Sequence, residues 1–597
     1  MPQPDAPTVA PIRTDALRQR IGKHSRLKGR QPDDAARAEL RALLGDATLR
    51  RDALIEHLHR LNDQFGALFE RHLVALAAEM RLSIAEVTEV ASFYHHFQIL
   101  PDAAAAPRLT LRVCDGLSCT LAGAAGLLQG LQGALGEGLR VVAAPCVGRC
   151  EQAPVVVVGQ APVMNADMAA VQARLARPDA GRPALANDDD SDFDPAVAAP
   201  CAITSGPADE APACVGYDTY RRQGGYQLAA ALVNGEHDAD AVLAAMTDSG
   251  LRGLGGAGFP AGRKWSIVRS LPGPRVLAVN LDEGEPGTFK DRTYLERDPH
   301  RFLEGVLIAA QVVGTESVYL YLRDEYHGCR ALLQRELDRL HADPPCPLPQ
   351  IELRRGAGAY ICGEESAMLE SIEGKRGEPR LRPPYIAERG LFGRPTMAHN
   401  FETLYWVRDI VQRGPAWFGG FGRQGRRGLR SFSVSGRVRQ PGVKLAPAGI
   451  TLRELVDEFC GGMAEGHQLY AYLPGGASGG ILPARLADLP LDFDTLQPHG
   501  CFIGSAAVVV LSQHDRARDA ALNAMKFFAD ESCGQCTPCR VGTDKAAQLM
   551  AALAWDHATL DDLGQVMADA SICGLGQAAP NVIRCVQQYF ADEVGGA

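Results

Sequence analysis

No stretch of this chain approaches the roughly 20 continuous apolar residues that a membrane-spanning helix needs. Its opening also lacks the apolar core of a secretory signal. Basic residues are not in excess. Lys and Arg number 61 against 71 Asp and Glu, and the formal net charge of −10 argues against nucleic acid as a main partner. No internal repeat is present. Together these absences predict a soluble, cytoplasmic protein that binds neither membrane nor nucleic acid. With 597 residues the chain exceeds what one core organises, so several domains are expected. The basic stretch Ile12 to Arg30 reads as a disordered arm or partner contact, with an import peptide as the alternative.

Cysteine, by contrast, is plentiful. Without an export signal, 16 cysteines suggest a reducing compartment, where clustered thiols read as metal ligands rather than disulfides. Cys533, Cys536 and Cys539 form a C-x2-C-x2-C triplet, and Cys573 follows at a distance. A tight triplet that wraps one face, closed by a fourth thiolate from another segment, suits a [4Fe–4S] cube. Zinc is the alternative, although it usually takes two separated ligand pairs. Cys114/Cys119 and Cys146/Cys150 form C-x4-C and C-x3-C pairs, each just after an apolar strand-like run. That pattern suits a [2Fe–2S] centre with two ligands per iron, and also a zinc ribbon. The chain is expected to move electrons.

Three polar loops accompany the cysteines. Arg252 to Trp265 holds a formal GxGxxG at Gly253, Gly255 and Gly258, but the residues before it, Val242 to Met246, look helical and Pro260 follows closely. A Rossmann fingerprint needs a strand there, so that site is rejected. The glycines still expose N–H groups to a phosphate, with Lys264 adding positive charge; a flexible turn is the alternative. Asn280 to Asp291 and Gly356 to Ser366 set carboxylates between glycines after strand-like runs, where they can bond ribityl, ribose or nicotinamide groups. Pro395 to Thr403 could hold a flavin ring or form a helix-capping turn.

Taken together, these residues resemble the NADH-binding flavoprotein subunit of respiratory complex I and its relatives in soluble NAD-reducing hydrogenases and formate dehydrogenases. The likeness covers nearly the whole chain. Gly253–Trp265, Arg354–Glu365, Gly475–Pro483 and Val508 to Gly542 are similar to the β subunit of bacterial tungsten- or molybdenum-dependent NAD formate dehydrogenases. The resemblance implies an α/β multidomain chain. A disordered arm spans 1–35, and a helical segment plus thioredoxin-like [2Fe–2S] domain spans 36–177. A linker follows at 178–214, then a Gly-rich FMN/NAD-binding domain at 215–425. A β-grasp domain at 426–505 and a helical [4Fe–4S] bundle at 506–597 complete it.

By motif, Gly253, Gly255, Gly256, Lys264, Asn280, Asp282, Tyr360, Gly363, Glu364, Asn400 and Thr403 match the flavin-mononucleotide pocket. Phe259, Glu285, Glu365, Arg382 and Tyr385 match NADH-holding positions, the aromatics by stacking on adenine. Cys533, Cys536, Cys539 and Cys573 match the [4Fe–4S] ligands, and Cys114, Cys119, Cys146 and Cys150 the [2Fe–2S] ligands. Leu254, Arg382 and Tyr385 depart from the complex I residues. So does His399, which stands where an asparagine often contacts the flavin and either retunes its potential or is a satisfied histidine in a turn. Glu285 and Glu365 are expected to disfavour a 2′-phosphate and so to select NAD(H).

The chain has no pterin-binding fold and no paired C-x-x-C motifs of a nickel–iron site, so substrate oxidation is expected on a partner. The expected partner is a formate dehydrogenase α subunit carrying a tungsten or molybdenum pterin and further iron–sulfur clusters. A hydrogenase or complex I-like assembly is the alternative. A zinc-stabilised, non-enzymatic scaffold is the reading from a different class.

Overall fold

The computed structural model describes residues 29–595, apart from 135, 137, 184–186, 189–201 and 204–212. Most of the expected arm, and much of the 178–214 linker, lie outside the described residues. The described part of the arm ends in order: Asp33 accepts from the Ala36 N–H at 2.7 Å and caps the helix Asp34–Leu44. Helices Leu54–Phe65, Glu70–Met80 and Ile84–Phe93 follow, the last opened by a reciprocal capping box between Ser83 and Glu86. Their apolar stripes, with Leu54, Leu58, Leu61, Leu73 and Leu76 fully or nearly fully buried, form the helical segment foreseen from the leucine spacing.

The next unit is a four-stranded sheet ordered Leu139–Ala144, Leu109–Cys114, Val156–Val158, Ala161–Val163, with the first pair parallel and the rest antiparallel. Helix Ala124–Ala134 packs against it, which gives the thioredoxin-like layer. The linker is not featureless. Residues 202–203 pair antiparallel with Val443 and Lys444, and 187–188 pair with 213–214.

The third unit is a parallel sheet ordered Gln350–Arg355, Thr315–Leu322, Arg275–Leu281, Thr396–Asn400. Val276 to Val279 and Val318, Leu320 and Leu322 are buried, as expected where helices cover both faces of a parallel sheet. Helix Pro299–Val313 is buried at every position except Gln311, and includes the buried polar side chains His300, Arg301 and Glu304. The polar loops emerge at the carboxyl ends of these strands, the usual place for a ligand in such a sheet.

A six-stranded β-grasp sheet follows, with Leu429–Gly436 paired antiparallel to Gly442–Pro447 and parallel to Ala507–Ser512. Ala507–Ser512 is an interior strand, fully buried, so this sheet runs past residue 505 before the helices begin at Ala517. Helices Ala517–Asp530, Thr537–Met550, His557–Ala570 and Pro580–Tyr589 make the C-terminal bundle. Among the described residues no helix is long and apolar enough to cross a membrane.

Candidate functional site

The glycine loop joins helix Ala239–Asp248 to helix Ala261–Ser270, so no strand precedes it and the Rossmann reading stays rejected. The loop closes on itself through Gly253 N–H to Phe259 O at 2.8 Å and Gly258 N–H to Gly253 O at 3.2 Å. Gly255 is required by close approach: a Cβ there would lie 2.8 Å from Asn400 Cβ. Asn400 caps helix Phe401–Tyr405 and donates to Asp291 Oδ2 at 2.7 Å. The capping turn foreseen as an alternative is therefore present, and it also positions Asn400 on the cleft wall. Thr403 does not line the cleft. It is buried behind the loop, where its Oγ1 accepts from the Leu254 N–H at 2.9 Å.

A cleft of about 760 Å³ brings together Gly253, Gly255, Gly256, Phe259, Lys264, Asn280, Gly363, Glu364, Glu365, Arg382, Tyr385, His399 and Asn400. An adjoining cavity of about 300 Å³ adds Asp282, Glu285 and Tyr360. Asn280 donates to Gly363 O at 2.8 Å and ties the two acidic loops together. Lys264 Nζ is held by Ala398 O at 3.0 Å and lies 3.7 Å from Glu365. Arg382 pairs with both Glu364 and Glu365, and Glu364 also caps helix Glu365–Ile372. Phe259 and Tyr385 are 38% and 57% exposed, the Phe259 ring with the Arg263 guanidinium 5.6 Å from its centre.

Glu285 is partly buried, and burial pushes its carboxyl up while bonds from Ser478 and Tyr360 oppose that shift. Ser478 N–H and Oγ meet Glu285 Oε1 at 2.8 and 2.6 Å, and Tyr360 Oη meets Oε2 at 2.5 Å. Asp282 differs. Its Oδ2 is buried without a protein partner, and burial raises its carboxyl well above the ordinary range. His399 lies in the strand Thr396–Asn400 rather than in a turn, and accepts from Trp265 Nε1–H at 2.8 Å through Nε2. Burial, with the Lys264 charge, lowers its pKa well below the usual histidine value, so the ring is neutral.

Cys533, Cys536, Cys539 and Cys573 line one small cavity with Ile361 and Leu575. Helix Thr537–Met550 starts at the triplet with Cys536 as its N-cap, and the positive end of its dipole favours thiolates. Cys146 Sγ lies 3.3 Å from Cys150 Sγ, and the Cys114 thiol bonds to Cys119 and Cys146, all four buried. Both foursomes converge as iron–sulfur clusters require. The orphaned Asp282 oxygen and the glycine cradle likewise fit a polar, phosphate-bearing cofactor.

Sequence reasoning missed several residues here. Glu531 accepts from the Tyr360 N–H at 2.8 Å. Its one signal was adjacency to the cysteine triplet. Ser478 lay inside a recognised glycine-rich stretch but had no assigned partner. Arg323 donates to Cys146 O at 2.7 Å and to Glu283 O, and nothing in the local sequence marks it. Glu283 is buried and accepts from Asp291 N–H, Arg292 N–H and Tyr326 Oη; burial and the Asp291 charge raise its pKa to about 7.

Four family models match the chain in order: Thioredoxin-like [2Fe-2S] ferredoxin over 40–177, Nuo51 FMN-binding domain over 246–409, SLBB domain over 431–482, and NADH-ubiquinone oxidoreductase-F iron-sulfur binding region over 519–596. Fold and site thus define an NADH-binding flavoprotein of the iron–sulfur electron-transfer class. An F-type NADH-quinone oxidoreductase chain of Rhizobium meliloti is 41% identical over 391 residues, which span 63% of this chain and 92% of that protein. The mitochondrial NADH dehydrogenase [ubiquinone] flavoprotein 1 of Dictyostelium discoideum is 40% identical over 374 residues, 60% and 78% of the two chains. A solved NAD+-reducing [NiFe]-hydrogenase in its H2-reduced state superposes with a TM-score of 0.76 at 32% identity, over 92% of this chain and 93% of that one. The chain belongs to the family of F-type NADH-quinone oxidoreductase flavoproteins, with a thioredoxin-like ferredoxin fused ahead of the flavoprotein part. FMN, NAD(H), a [2Fe–2S] cluster and a [4Fe–4S] cluster are its cofactors.

Proposed function

We propose that this chain is the diaphorase subunit of an NAD-dependent formate dehydrogenase in the cytoplasm. Its partner would be an α subunit carrying a tungsten or molybdenum pterin and further iron–sulfur clusters. The observation that carries the electron-transfer part is a shared wall: Cys573 lines both the nucleotide cleft and the cavity of the four C-terminal cysteines. On the other side, a polar cavity of about 10 Å³ is bounded by Cys146, Asp282, Arg323, Tyr360 and Glu531. A flavin held in the cleft would have Cys573 on its wall, with Cys146 in the neighbouring cavity that shares Asp282 and Tyr360 with the adjoining part of the site.

FMN supplies the exchange of a hydride with NAD(H) and of single electrons with the clusters. The chain's residues bind and orient. The glycine loop and Lys264 would hold the flavin phosphate, while Asn280, Asp282, Gly363, Glu364 and Asn400 would line the flavin. Phe259 and Tyr385 would stack on adenine, and Glu285, Glu365 and Arg382 would hold the remainder of the dinucleotide. Thr403 and Trp265–His399 support the loop and the strand from behind. No side chain is asked to act as general acid or base.

The formate assignment rests on the likeness of the glycine loop, the Arg354–Glu365 segment, the Gly475–Pro483 loop and the region round the triplet to that subunit. The near-full-length likeness to a hydrogenase chain favours, as a second reading, a diaphorase for hydrogen oxidation. Elemental analysis of the complex that copurifies anaerobically with the tagged chain separates the two. Tungsten or molybdenum with iron supports formate oxidation and CO2 reduction, nickel supports the hydrogenase reading, and iron alone overturns both. A preparation that is yellow and bleached by NADH removes the zinc-scaffold reading.

A further inference from the structure

Among the described residues, Cys501 and Cys585 stand out from the cysteines that belong to neither cluster set. Their sulfurs are 3.5 Å apart, and the residues are 2% and 1% exposed. Cys501 follows the turn at Gln497–His499, and Cys585 lies in helix Pro580–Tyr589. The two sulfurs rest on the bare Cα of Gly480: a Cβ there would sit 2.6 Å from Cys501 Sγ and 3.0 Å from Cys585 Sγ. Either sulfur can donate to the other, the Cys585 thiol also reaches Gly500 O at 3.8 Å, and the contacts with Cys501 and the Ile481 N–H lower the Cys585 thiol from its ordinary value against the opposing effect of burial. Two thiols in contact, with no side chain between them, need only a small closing movement to be bonded to each other.

The pair sits under a functional loop. Gly480 is two residues beyond Ser478, which holds Glu285 through its N–H and hydroxyl. Asn581, on the same helix as Cys585, donates to Ser478 O at 3.1 Å. Closing the sulfurs to a bond of about 2.05 Å draws this helix and the 500–501 turn together beneath the loop.

We propose that Cys501 and Cys585 form a thiol modification site that hydrogen peroxide oxidises to a disulfide, resetting the Ser478 loop. The Cys585 thiolate attacks one peroxide oxygen, the O–O bond breaks, and hydroxide leaves to become water. Cys501 sulfur then displaces the oxygen of the resulting sulfenic acid as a second water. One peroxide is reduced by two electrons, one from each sulfur, and a dithiol reverses the change.

The test treats the purified holo-chain with hydrogen peroxide, alkylates the remaining thiols and maps the peptides by mass spectrometry. A Cys501–Cys585 cross-linked peptide that dithiothreitol removes is expected, and Cys501→Ala should leave a Cys585 sulfenic acid that a cyclic diketone captures. Oxidation should also raise the KM for NADH several-fold in the parent chain but not in Cys585→Ala. Full alkylation of both cysteines after a treatment that oxidises exposed thiols overturns the site. The mass readout needs no variant, so it stands even if Cys585→Ala does not fold. The KM effect rests on the proposed role of Glu285, so a disulfide with unchanged KM overturns the coupling to the cleft and leaves the chemistry of the pair.

Discussion

Glu285 in the adjoining cavity and Glu365 in the cleft are held in different ways, and that decides what each can do. Glu285 is saturated by Ser478 and Tyr360, which leaves it oriented but with little freedom to meet a ligand's phosphate. Glu365 faces Lys264 at 3.7 Å and Arg382 at 3.1 Å on the open side. Its carboxylate would repel a 2′-phosphate placed beside it, whereas Arg382 would welcome one once Glu365 is gone. Glu365→Ser is therefore expected to lower the preference for NADH over NADPH by about tenfold, equivalent to about 1.4 kcal/mol. Steady-state kcat/KM with both cofactors measures this, and an unchanged ratio removes Glu365 from discrimination.

His327 offers a pH test at the same scale. Burial lowers its pKa from 6.5 to about 4, with the Asp324 charge opposing and Arg355 reinforcing, and its Nδ1 has no partner. Between pH 4 and 6.5 the unfolded chain binds a proton that the folded chain refuses. Stability must rise with pH through that window and be lost as pH falls through it. His59, lowered well below its ordinary value by burial, acts in the same direction. His327→Gln should flatten this acid limb in thermal midpoints measured against pH; an equally steep limb would mean that His327 contributes nothing to it.

At the scale of elements, the site depends on loops closing against neighbours. The glycine loop has room to pass Asn400 because position 255 has no Cβ. Gly255→Ala must displace either the loop or the Asn400 cap, so the variant is expected to purify without FMN, seen as loss of the flavin absorbance at unchanged iron content. A second junction docks the [2Fe–2S] domain on the flavin domain. Arg292, buried, donates to Gly148 O at 3.0 Å and pairs with Glu296 at 2.7 Å and with Glu151, while Arg149 reaches Glu296 at 2.9 Å. Removing one member of such a buried network strands the others and costs about 3–5 kcal/mol. Arg292→Met should lower the stability by that order in denaturant melts, with the [2Fe–2S] domain becoming sensitive to proteolysis first.

In the whole molecule, the 356–363 loop is a meeting point of three units. The N-terminal helices clamp it: His59 Nε2 bonds Gly356 O at 2.8 Å, and His95 and His96 N–H groups reach Gly358 and Ala357 carbonyls. The C-terminal bundle holds it from the other side through Glu531 and Tyr360. A pocket built this way is preorganised by parts far apart in the chain; Cys573 lines it, and Cys146 lines a neighbouring small cavity with Asp282 and Tyr360. Cys573→Ser should remove the [4Fe–4S] signal from low-temperature electron paramagnetic resonance while the [2Fe–2S] signal persists. NADH oxidation by a small artificial acceptor should survive, and electron delivery to the partner should fall by at least about tenfold, a barrier increase near 1.4 kcal/mol. Equal loss of both activities would argue that the cluster supports the cleft rather than the route out of it.

Much of this was legible in the amino-acid order. Cysteine spacing marked both foursomes that the structure gathers, because thiols drawn from one turn or one loop lie at short, fixed intervals. Glycines and carboxylates after apolar strands marked the loops, and leucine periodicity marked the N-terminal helices. Other features lay beyond the sequence. Thr403 matched a cofactor position but sits behind the loop, since its hydroxyl is taken by the Leu254 N–H. Trp265 and His399 stand 134 positions apart, and Cys501 and Cys585 stand 84 apart. Local sequence determined which groups the chain could offer a cofactor. Only the packing of separate elements decided which of them face the cleft, which support it from behind, and which meet each other, because burial and hydrogen bonding between distant segments are settled when the domains close together.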